Sequence, residues 1–364
     1  MARPHILFVA NGVLGWSTYA RQLETALAAR GDVRATVLHR SPPRWAMQAA
    51  RRHADGPLAR RLRPFDPIRL HAGPLGRDLR RAVAEARPDV VHVAAHWPAG
   101  ALDGAVPFTL ALDATRPGIT RDMPLPGWRP REWEAEAALC RRAAHLFPMS
   151  GWAAASLRDD FGVAPGRITV QPPALDPGAW PPEAEGSGAR EMQVVFIGND
   201  VARKGLARLA AWVRGPLAGR VHLHVVSTDP RAPGSDAHVT AHGAVPHARL
   251  MAELLPRMDA ACLPTRLDMS PFVLAETQAA GLPAVASRLG GIPDLVEDGR
   301  TGLLCPPGDD AAFVDALGAL ADDPARRRRM GRTARERAGA LFDGRRNFDR
   351  LIDTLAAIAR GDAP

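Results

Sequence analysis

Short apolar runs alternate along this chain with longer stretches whose apolar positions recur at helical spacing. The first run, "HILFVAN", ends at Gly12. A helix is expected over residues 18–30, with Ala20, Leu23 and Leu27 on one face, Ser17 as its cap and Gly31 as its stop. "RATVLHR", "DVVHVAA" and "PFTLALD" read as further strands, and "AHLFPMS" and "ITVQPPALD" supply the last strands of this half. The periodicity then breaks over residues 177–190, "PGAWPPEAEGSGAR", where Pro, Gly and Ser are dense enough to mark a linker. Beyond it the alternation restarts with "MQVVFIGN", a helix after Lys204, "VHLHVVST", "HVTAHGAV", a helix rich in Leu and Met, "DAACLPT", a helix from Pro271, and "PAVAS", before Arg-rich helices close the chain. Strands alternating with helices of this length predict an α/β fold with a mostly parallel sheet in each half. Two such halves side by side make a cleft, and the C-terminal ends of parallel strands are where ligands bind.

Composition narrows the partners. A chain of 364 residues is too long for one ordinary core and suits two domains. The formal charge of +8 favours an anionic partner, whether nucleic acid, anionic lipid or a phosphorylated small molecule. Nucleic acid is disfavoured by an aromatic content of 5%, a single tyrosine and the lack of any zinc-finger spacing. Cys140, Cys262 and Cys305 are far apart and read as buried thiols of a reduced compartment, so a cytoplasmic location is expected. The first apolar run is too short for a signal-peptide core, and no stretch approaches the roughly 20 apolar residues of a membrane helix. Residues 40–65 carry seven arginines and one aspartate, with Trp45, Met47 and Leu58 interleaved. That stretch admits two readings: an amphipathic element touching the inner face of an anionic membrane or an anionic acceptor, and a solvated basic face. The run "RRRRM" at 326–330 reads most simply as surface charge on a helix.

The chemistry concentrates in residues 267–304, "LDMSPFVLAETQAAGLPAVASRLGGIPDLVEDGRTGLL". Ser270 before Pro271 predicts an N-cap followed by proline at the first helical position, with the helix running to about Ala280 and Gly281 stopping it. A strand ending near Thr265, a short loop and a helix start present free backbone N–H groups, a ready anion site. Asp268 sits just before this helix start. Glu276 lies deep in an apolar helix and is costly there unless it has a partner, which a ligand hydroxyl would supply. The plainer alternative is a capping carboxylate and a helix-surface glutamate. "FIGNDVARKG" holds Lys204, the single lysine among 47 basic residues. Gly12 and Gly15 do not complete a G-x-G-x-x-G, and no P-loop spacing precedes Lys204, so nicotinamide and P-loop readings lose their weight. His92 and His96 would be roughly 13 Å apart on a strand, too far to share a metal ion. His92 is expected in the core, and His96, beyond the strand end with Trp97, is a candidate for an acceptor cleft.

The run Asp268, seven residues, Glu276, then "AAGLP" and "GGIPDLVEDGRTGLL" resembles the signature of the retaining family-4 glycosyltransferases. "HILFVANGVLG", "PDVVHVAAHWP" and "HVTAHGAVPHARL" extend the resemblance across the chain. It implies the GT-B fold: two Rossmann-like domains whose parallel sheets face each other across a cleft, and a C-terminal crossover helix. The expected divisions are 1–185 for an acceptor-side domain, 190–345 for a sugar-nucleotide domain and 346–364 for the crossover helix. It further implies transfer of a hexose from a nucleotide-diphosphate sugar to a hydroxyl acceptor with retained configuration, in polysaccharide or other surface-glycan synthesis. The acceptor would be a glycan, a lipid-linked sugar or a small molecule.

The resemblance also assigns residues. Lys204 falls at the family's diphosphate-gripping lysine, and Arg203 beside it is a candidate second cation. Asp268 would contact the sugar-ring hydroxyls. Glu276 would bind the ribose. Ser270, Pro271, Phe272 and Val273 would offer helix N-terminal N–H groups. Val245 would place its backbone near the base, with Gly198, Asn199 and Gly15 close to the donor. Asp113, His96 and Arg116 would face the acceptor. No cofactor and no metal is expected, because the chain has no D-x-D clamp and the positive groups would serve in its place. Three departures are visible: Asn199 stands at a usual arginine, Asp268 at a usual glutamate and Asp113 at a frequent histidine. They leave open a sugar-nucleotide-binding relative without turnover, or a sugar-nucleotide epimerase of the same fold. A phosphorylase is weaker, since its cofactor needs a lysine and the single one is already placed.

Overall fold

The computed structural model describes residues 3–12, 15–40, 67–123, 130–184 and 186–362. All but Arg40 of the basic stretch 40–65 lies outside them. The chain divides into two compact units. The first takes the chain up to Arg121, resumes through Pro172 and takes back the residues from Arg345 onward; the second holds Pro173–Gly344.

The first unit carries β1 (His5–Asn11), α1 (Gly15–Ala29), β2 (Arg34–Arg40), α2 (Pro67–Ala72), α3 (Arg77–Ala86), β3 (Val90–Ala94), β4 (Phe108–Leu112), α4 (Arg116–Asp122), α5 (Pro130–Arg142), β5 (His145–Pro148) and α6 (Gly151–Asp159). Its sheet has the order β2-β1-β3-β4-β5, every pair parallel. β1, β3 and β4 are buried at every position, which is what continuous apolar runs achieve when helices cover both faces. α1 starts at Gly15, ahead of the expected start. Trp16 is buried edge-on against Tyr19, with 5.4 Å between ring centroids, so Ser17 falls in the first turn rather than at the cap. "ITVQPPALD" does not form a strand. Thr169 and Gln171 donate their N–H groups to the carbonyls of Leu146 and Pro148, at 3.0 and 2.8 Å, and the run then ends at Pro172 and Pro173, which have no N–H to offer a ladder.

His92 is fully buried in this core. It lies 2.9 Å from the Tyr19 hydroxyl and 2.8 Å from the Thr109 hydroxyl, and burial pushes its pKa down to about 3. His71 and His145 are pushed down to about 4, chiefly by burial. These groups are neutral when folded and bind protons more readily when unfolded, so they contribute stability above their ordinary pKa of about 6.5 that is lost as pH falls toward 4. A calorimetric series is therefore expected to show the melting temperature falling below pH 6.5. An unchanged value down to pH 4 would contradict the neutral burial of His92.

The second unit carries β6 (Met192–Ile197), α7 (Leu206–Arg214), β7 (Val221–Val226), β8 (Val239–Gly243), α8 (His247–Arg249), β9 (Ala260–Leu263), α9 (Phe272–Ala279), β10 (Ala284–Ser287), α10 (Ile292–Leu295), β11 (Gly302–Cys305), α11 (Asp310–Asp322) and α12 (Pro324–Leu341). Its sheet is parallel throughout, in the order β11-β10-β9-β6-β7-β8. The expected Leu- and Met-rich helix is broken into α8, a π turn at Leu250–Leu254 and a 3-10 turn at Leu255–Arg257. Pro256 supplies no N–H to continue an α-helical ladder there.

The stretch 177–190 packs on this unit. Ala184 donates to the Ala280 carbonyl at 2.8 Å, and Ser187 Oγ donates to Asp259 at 2.6 Å. Arg327 departs from the expected surface charge: it lies 3.5 Å from Asp259 and donates to the Leu320 carbonyl at 2.7 Å. The last helix, α13 (Gly344–Arg360), packs within the first unit, Phe348 edge-on to Tyr19 at 5.3 Å and Asp353 2.7 Å from Arg30.

Candidate active site

In the second sheet the chain runs outward from β6 through β7 to β8, then returns to β9 on the other side of β6 and runs outward again through β10 to β11. The connections leave β6 and β9 in opposite directions, so their C-terminal ends open a crevice, the general ligand position of such sheets. Gly198 follows β6 and Thr265 follows β9.

Gly198 makes room for a side chain. A Cβ there would strike the Cδ of Lys204 and sit 2.9 Å from its Cε, so the lysine methylenes lie directly on the glycine backbone. The intervening turn is closed by Asp200, whose carbonyl accepts from the Lys204 N–H at 3.0 Å and whose carboxylate accepts from the Arg203 N–H at 3.3 Å. Gly205 then takes a left-handed conformation, φ 77°, where a Cβ would strike the Pro264 carbonyl. The β9 loop is tied to this turn: Arg266 N–H donates to the Arg203 carbonyl at 3.0 Å, and Ser287 Oγ donates to the Thr265 carbonyl at 2.6 Å. On the other side Gly290, φ 54°, lies so close that a Cβ would meet the Asp268 carbonyl at 2.7 Å, while Gly291 N–H donates to the Met269 carbonyl at 2.7 Å. The double glycine thus serves as the backrest of the Asp268 loop.

These ties bring Arg203, Lys204 and Asp268 together. Asp268 Oδ2 lies 3.2 Å from Arg203 Nη1 and 3.4 Å from Lys204 Nζ, in ion-pair contact rather than a directed hydrogen bond. Lys204 and Asp268 are nearly buried and Arg203 is a quarter exposed. Ser270 does not cap the following helix. Pro271 is the cap residue, α9 begins at Phe272, and no side chain bonds its first turn. Ser270 Oγ is instead buried without a hydrogen-bond partner, an arrangement that costs about 1–3 kcal/mol. An unpaired hydroxyl two residues after Asp268 and just before a helix N-terminus has the donor chemistry of an anion site. Asn199 is used differently: its Oδ1 accepts from the Thr228 N–H at 2.9 Å and holds the loop after β7.

Glu276 does have a partner, and it is a side chain. His247 Nε2 lies 2.9 Å from Glu276 Oε1. Val245, two residues before His247, lines a cavity of about 320 Å³ with His242, Pro246, Arg249 and Arg257. No spacing in the sequence links residue 247 to residue 276; only the return of β9 beside β6 does so.

The remaining candidates belong to the first unit. Gly15 opens α1. His96 and Arg116 meet on one carboxylate, Glu136, that the sequence reading missed. His96 Nε2 is 2.9 Å from Glu136 Oε1, and the Arg116 N–H donates to Oε2 at 2.9 Å. Arg116 also donates to the Glu132 carbonyl. All four side chains are buried. The available signal was the spacing of Glu132 and Glu136, one turn apart and on the buried stripe of α5 with Cys140. Asp113 follows β4 and is half-buried. Among the described residues no cluster of three or more His, Cys, Asp or Glu could hold a metal ion, and no helix is long and apolar enough to cross a membrane.

Comparison with known proteins bears on the family and the fold. The profile of the Glycosyl transferases group 1 matches residues 191–323, and that of Glycosyltransferase Family 4 matches residues 13–178. The chain is 30% identical over 296 residues to a glycogen synthase of Mycobacterium tuberculosis, covering 76% of this chain and 70% of the relative. Its fold is similar to that of sucrose-phosphate synthase from Thermosynechococcus elongatus, with a TM-score of 0.79, 19% identity and coverage of 99% of this chain and 100% of the other. Anabaena HepE in complex with UDP-glucose is similar with a TM-score of 0.70 and 15% identity, over 97% of this chain and 99% of that one. With two parallel α/β units, a site at the β6–β9 crevice and matches running from residue 13 to residue 323, this chain belongs to the family-4 glycosyltransferases and has their GT-B fold.

Proposed function

We propose that this glycosyltransferase moves a hexose from a nucleoside-diphosphate sugar to a hydroxyl acceptor with retained anomeric configuration and without a metal ion. The observation that carries this reading is the convergence of Arg203 and Lys204 on Asp268, which stands two residues before the unpartnered Ser270 hydroxyl in the loop that leads into α9. In the reaction the bond between the anomeric carbon and the diphosphate oxygen breaks, and the leaving diphosphate gains charge. Lys204 and Arg203 would hold that charge in a site shielded from water, where fixed cations stabilise it most. Ser270 Oγ and the α9 N–H groups would add hydrogen bonds. Asp268 would then exchange its cation contacts for the sugar hydroxyls, and Glu276 would hold the ribose. Val245 would lie near the base. A hexose fits the similarity to a glycogen synthase, and HepE binds UDP-glucose. Membrane contact is expected only through the basic stretch 40–65, and polysaccharide synthesis only from the relatives.

The test is a thermal-shift panel of UDP-, GDP-, ADP- and dTDP-sugars, followed by analysis of the linkage formed from the donor that binds. One donor is expected to raise the melting temperature by several degrees at saturating concentration, as mass action requires. EDTA should leave turnover intact. A donor that stabilises the protein but never releases nucleoside diphosphate with any acceptor would instead support a binding relative, and a changed sugar without acceptor would support an epimerase.

A further inference from the structure

We propose that Trp97 is the platform on which a pyranose ring of the acceptor stacks, which makes the acceptor a glycan. This rests on the reading of the chain as a sugar transferase with a hydroxyl acceptor, and it adds the class of that acceptor and the residue that receives it.

Position comes first. In the order β2-β1-β3-β4-β5 the chain runs outward on one side from β1 to β2 and returns on the other at β3, so β1 and β3 flank the switch point of the first sheet. Ligand crevices open beyond the strand ends at that point. The chain leaves β3 there through Ala95, His96 and Trp97.

Exposure comes second. Trp97 is 39% exposed, and the only other exposed large hydrophobic side chain among the described residues is Val170. Trp97 is therefore the one Trp, Tyr or Phe ring among them exposed at this level. An indole at a strand-end crevice offers a flat apolar face with a polar edge that a ligand can cover.

The mount is the third observation. Ala95 takes a left-handed conformation, φ 57°, one of two non-glycine residues among those described that do so. Strain of this kind persists where surrounding contacts over-determine it, and it clusters at ligand sites. Here the contact is on the next residue: His96 is buried against Glu136 at 2.9 Å and sits edge-on to Trp97, with ring centroids 6.0 Å apart. On the other side Trp97 starts a 3-10 turn, Trp97–Ala101, whose Pro98, Ala99 and Ala101 are buried. Glu136 is thus a positioning residue. It acts on the platform through His96 and also fixes the start of α4 through the Arg116 N–H.

The chemistry selects the occupant. One face of a pyranose presents axial C–H groups with little polarity, and these pack on the negative face of an indole while the equatorial hydroxyls point outward to polar partners. Asp113, half-buried, follows β4, the strand paired with β3 through Ala94 and Ala111. A carboxylate one strand away suits sugar hydroxyls and opposes a phosphate.

The experiment is calorimetric titration of the full chain with gluco-, manno- and galacto-configured oligosaccharides, each with and without UDP or GDP. It is run on wild type, Trp97→Ala and Trp97→Phe. One oligosaccharide series is expected to bind wild type, to bind Trp97→Ala at least tenfold more weakly and to bind Trp97→Phe within about threefold, with nucleotide affinity the same in all three. Equal oligosaccharide binding by wild type and Trp97→Ala would overturn the proposal. So would nucleotide binding with no oligosaccharide binding by wild type. Should neither nucleotide nor nucleotide sugar bind while the Trp97 dependence holds, the platform stands and the donor reading falls.

Discussion

Lys204→Ala is expected to lower kcat by roughly 10²–10³-fold, the usual loss when one preorganised group at a developing negative charge is removed. The melting temperature should change little. Asp268 keeps Arg203 at 3.2 Å after the substitution, so no carboxylate is left buried without a cation. Lys204→Arg is expected to fail nearly as badly, even though it keeps the charge. The lysine methylenes run over the bare backbone of Gly198, a channel that suits an unbranched chain ending in a compact ammonium. A planar guanidinium placed there would have to turn its fork away from Asp268. The measurement is steady-state release of nucleoside diphosphate with the donor that the thermal-shift panel selects, alongside a melting curve. Lys204→Ala retaining more than a tenth of wild-type activity would remove Lys204 from the diphosphate site, and Lys204→Arg doing so would overturn the requirement for an unbranched chain. A large fall in melting temperature would assign it a structural role instead.

Gly198→Ala is expected to be the most informative single methyl group in the protein. Gly198 is not in the left-handed region, so alanine strains no backbone there. The three heavy atoms nearest the added Cβ all belong to the Lys204 side chain. The side chain must therefore shift by about an ångström or more, while the fold remains. Misplacement on that scale at a reacting centre costs on the order of 10²-fold. We expect that loss in kcat with a melting temperature within a few degrees of wild type. Gly205→Ala is the contrast: its left-handed φ of 77° and its contact with the Pro264 carbonyl make it a stability variant. If Gly198→Ala turned over donor as wild type does, the lysine would have another route to its working position. The close packing seen here would then carry no catalytic weight.

Local chemistry along the chain was enough to specify much of this protein. Apolar runs with no alternation required strands buried on both faces, and β1, β3, β4 and β9 are buried at every position. Gly198 stands where the Lys204 side chain, six residues on, comes too close for a Cβ, and Gly205 and Gly290 take left-handed turns, demands that short segments express by themselves. Lys204, Asp268 and Glu276 were singled out because their segments resemble the family-4 signature; by themselves the two carboxylates also allowed a cap and a helix-surface glutamate. What tertiary structure alone decided were the contacts between segments that no local rule connects. Ser270 looked like a cap because Ser-Pro favours one, yet the loop after β9, tied to the β6 turn and backed by the double glycine, carries the hydroxyl off the helix axis and leaves it unpaired. Glu276 required a partner, but only the ordering of the sheet could name His247. Glu136 was not singled out from the sequence, because only the ends of β3 and β4 bring His96 and the Arg116 N–H to its two oxygens. The stretch 177–190 has the composition of a free linker, but Asp259 and the Ala280 carbonyl supply hydrogen-bond partners that composition cannot reveal. Backbone preference is a property of a few adjacent residues and survives in the sequence. The pairing of buried polar groups depends on which strand lies beside which, and that is settled only when the whole sheet has formed.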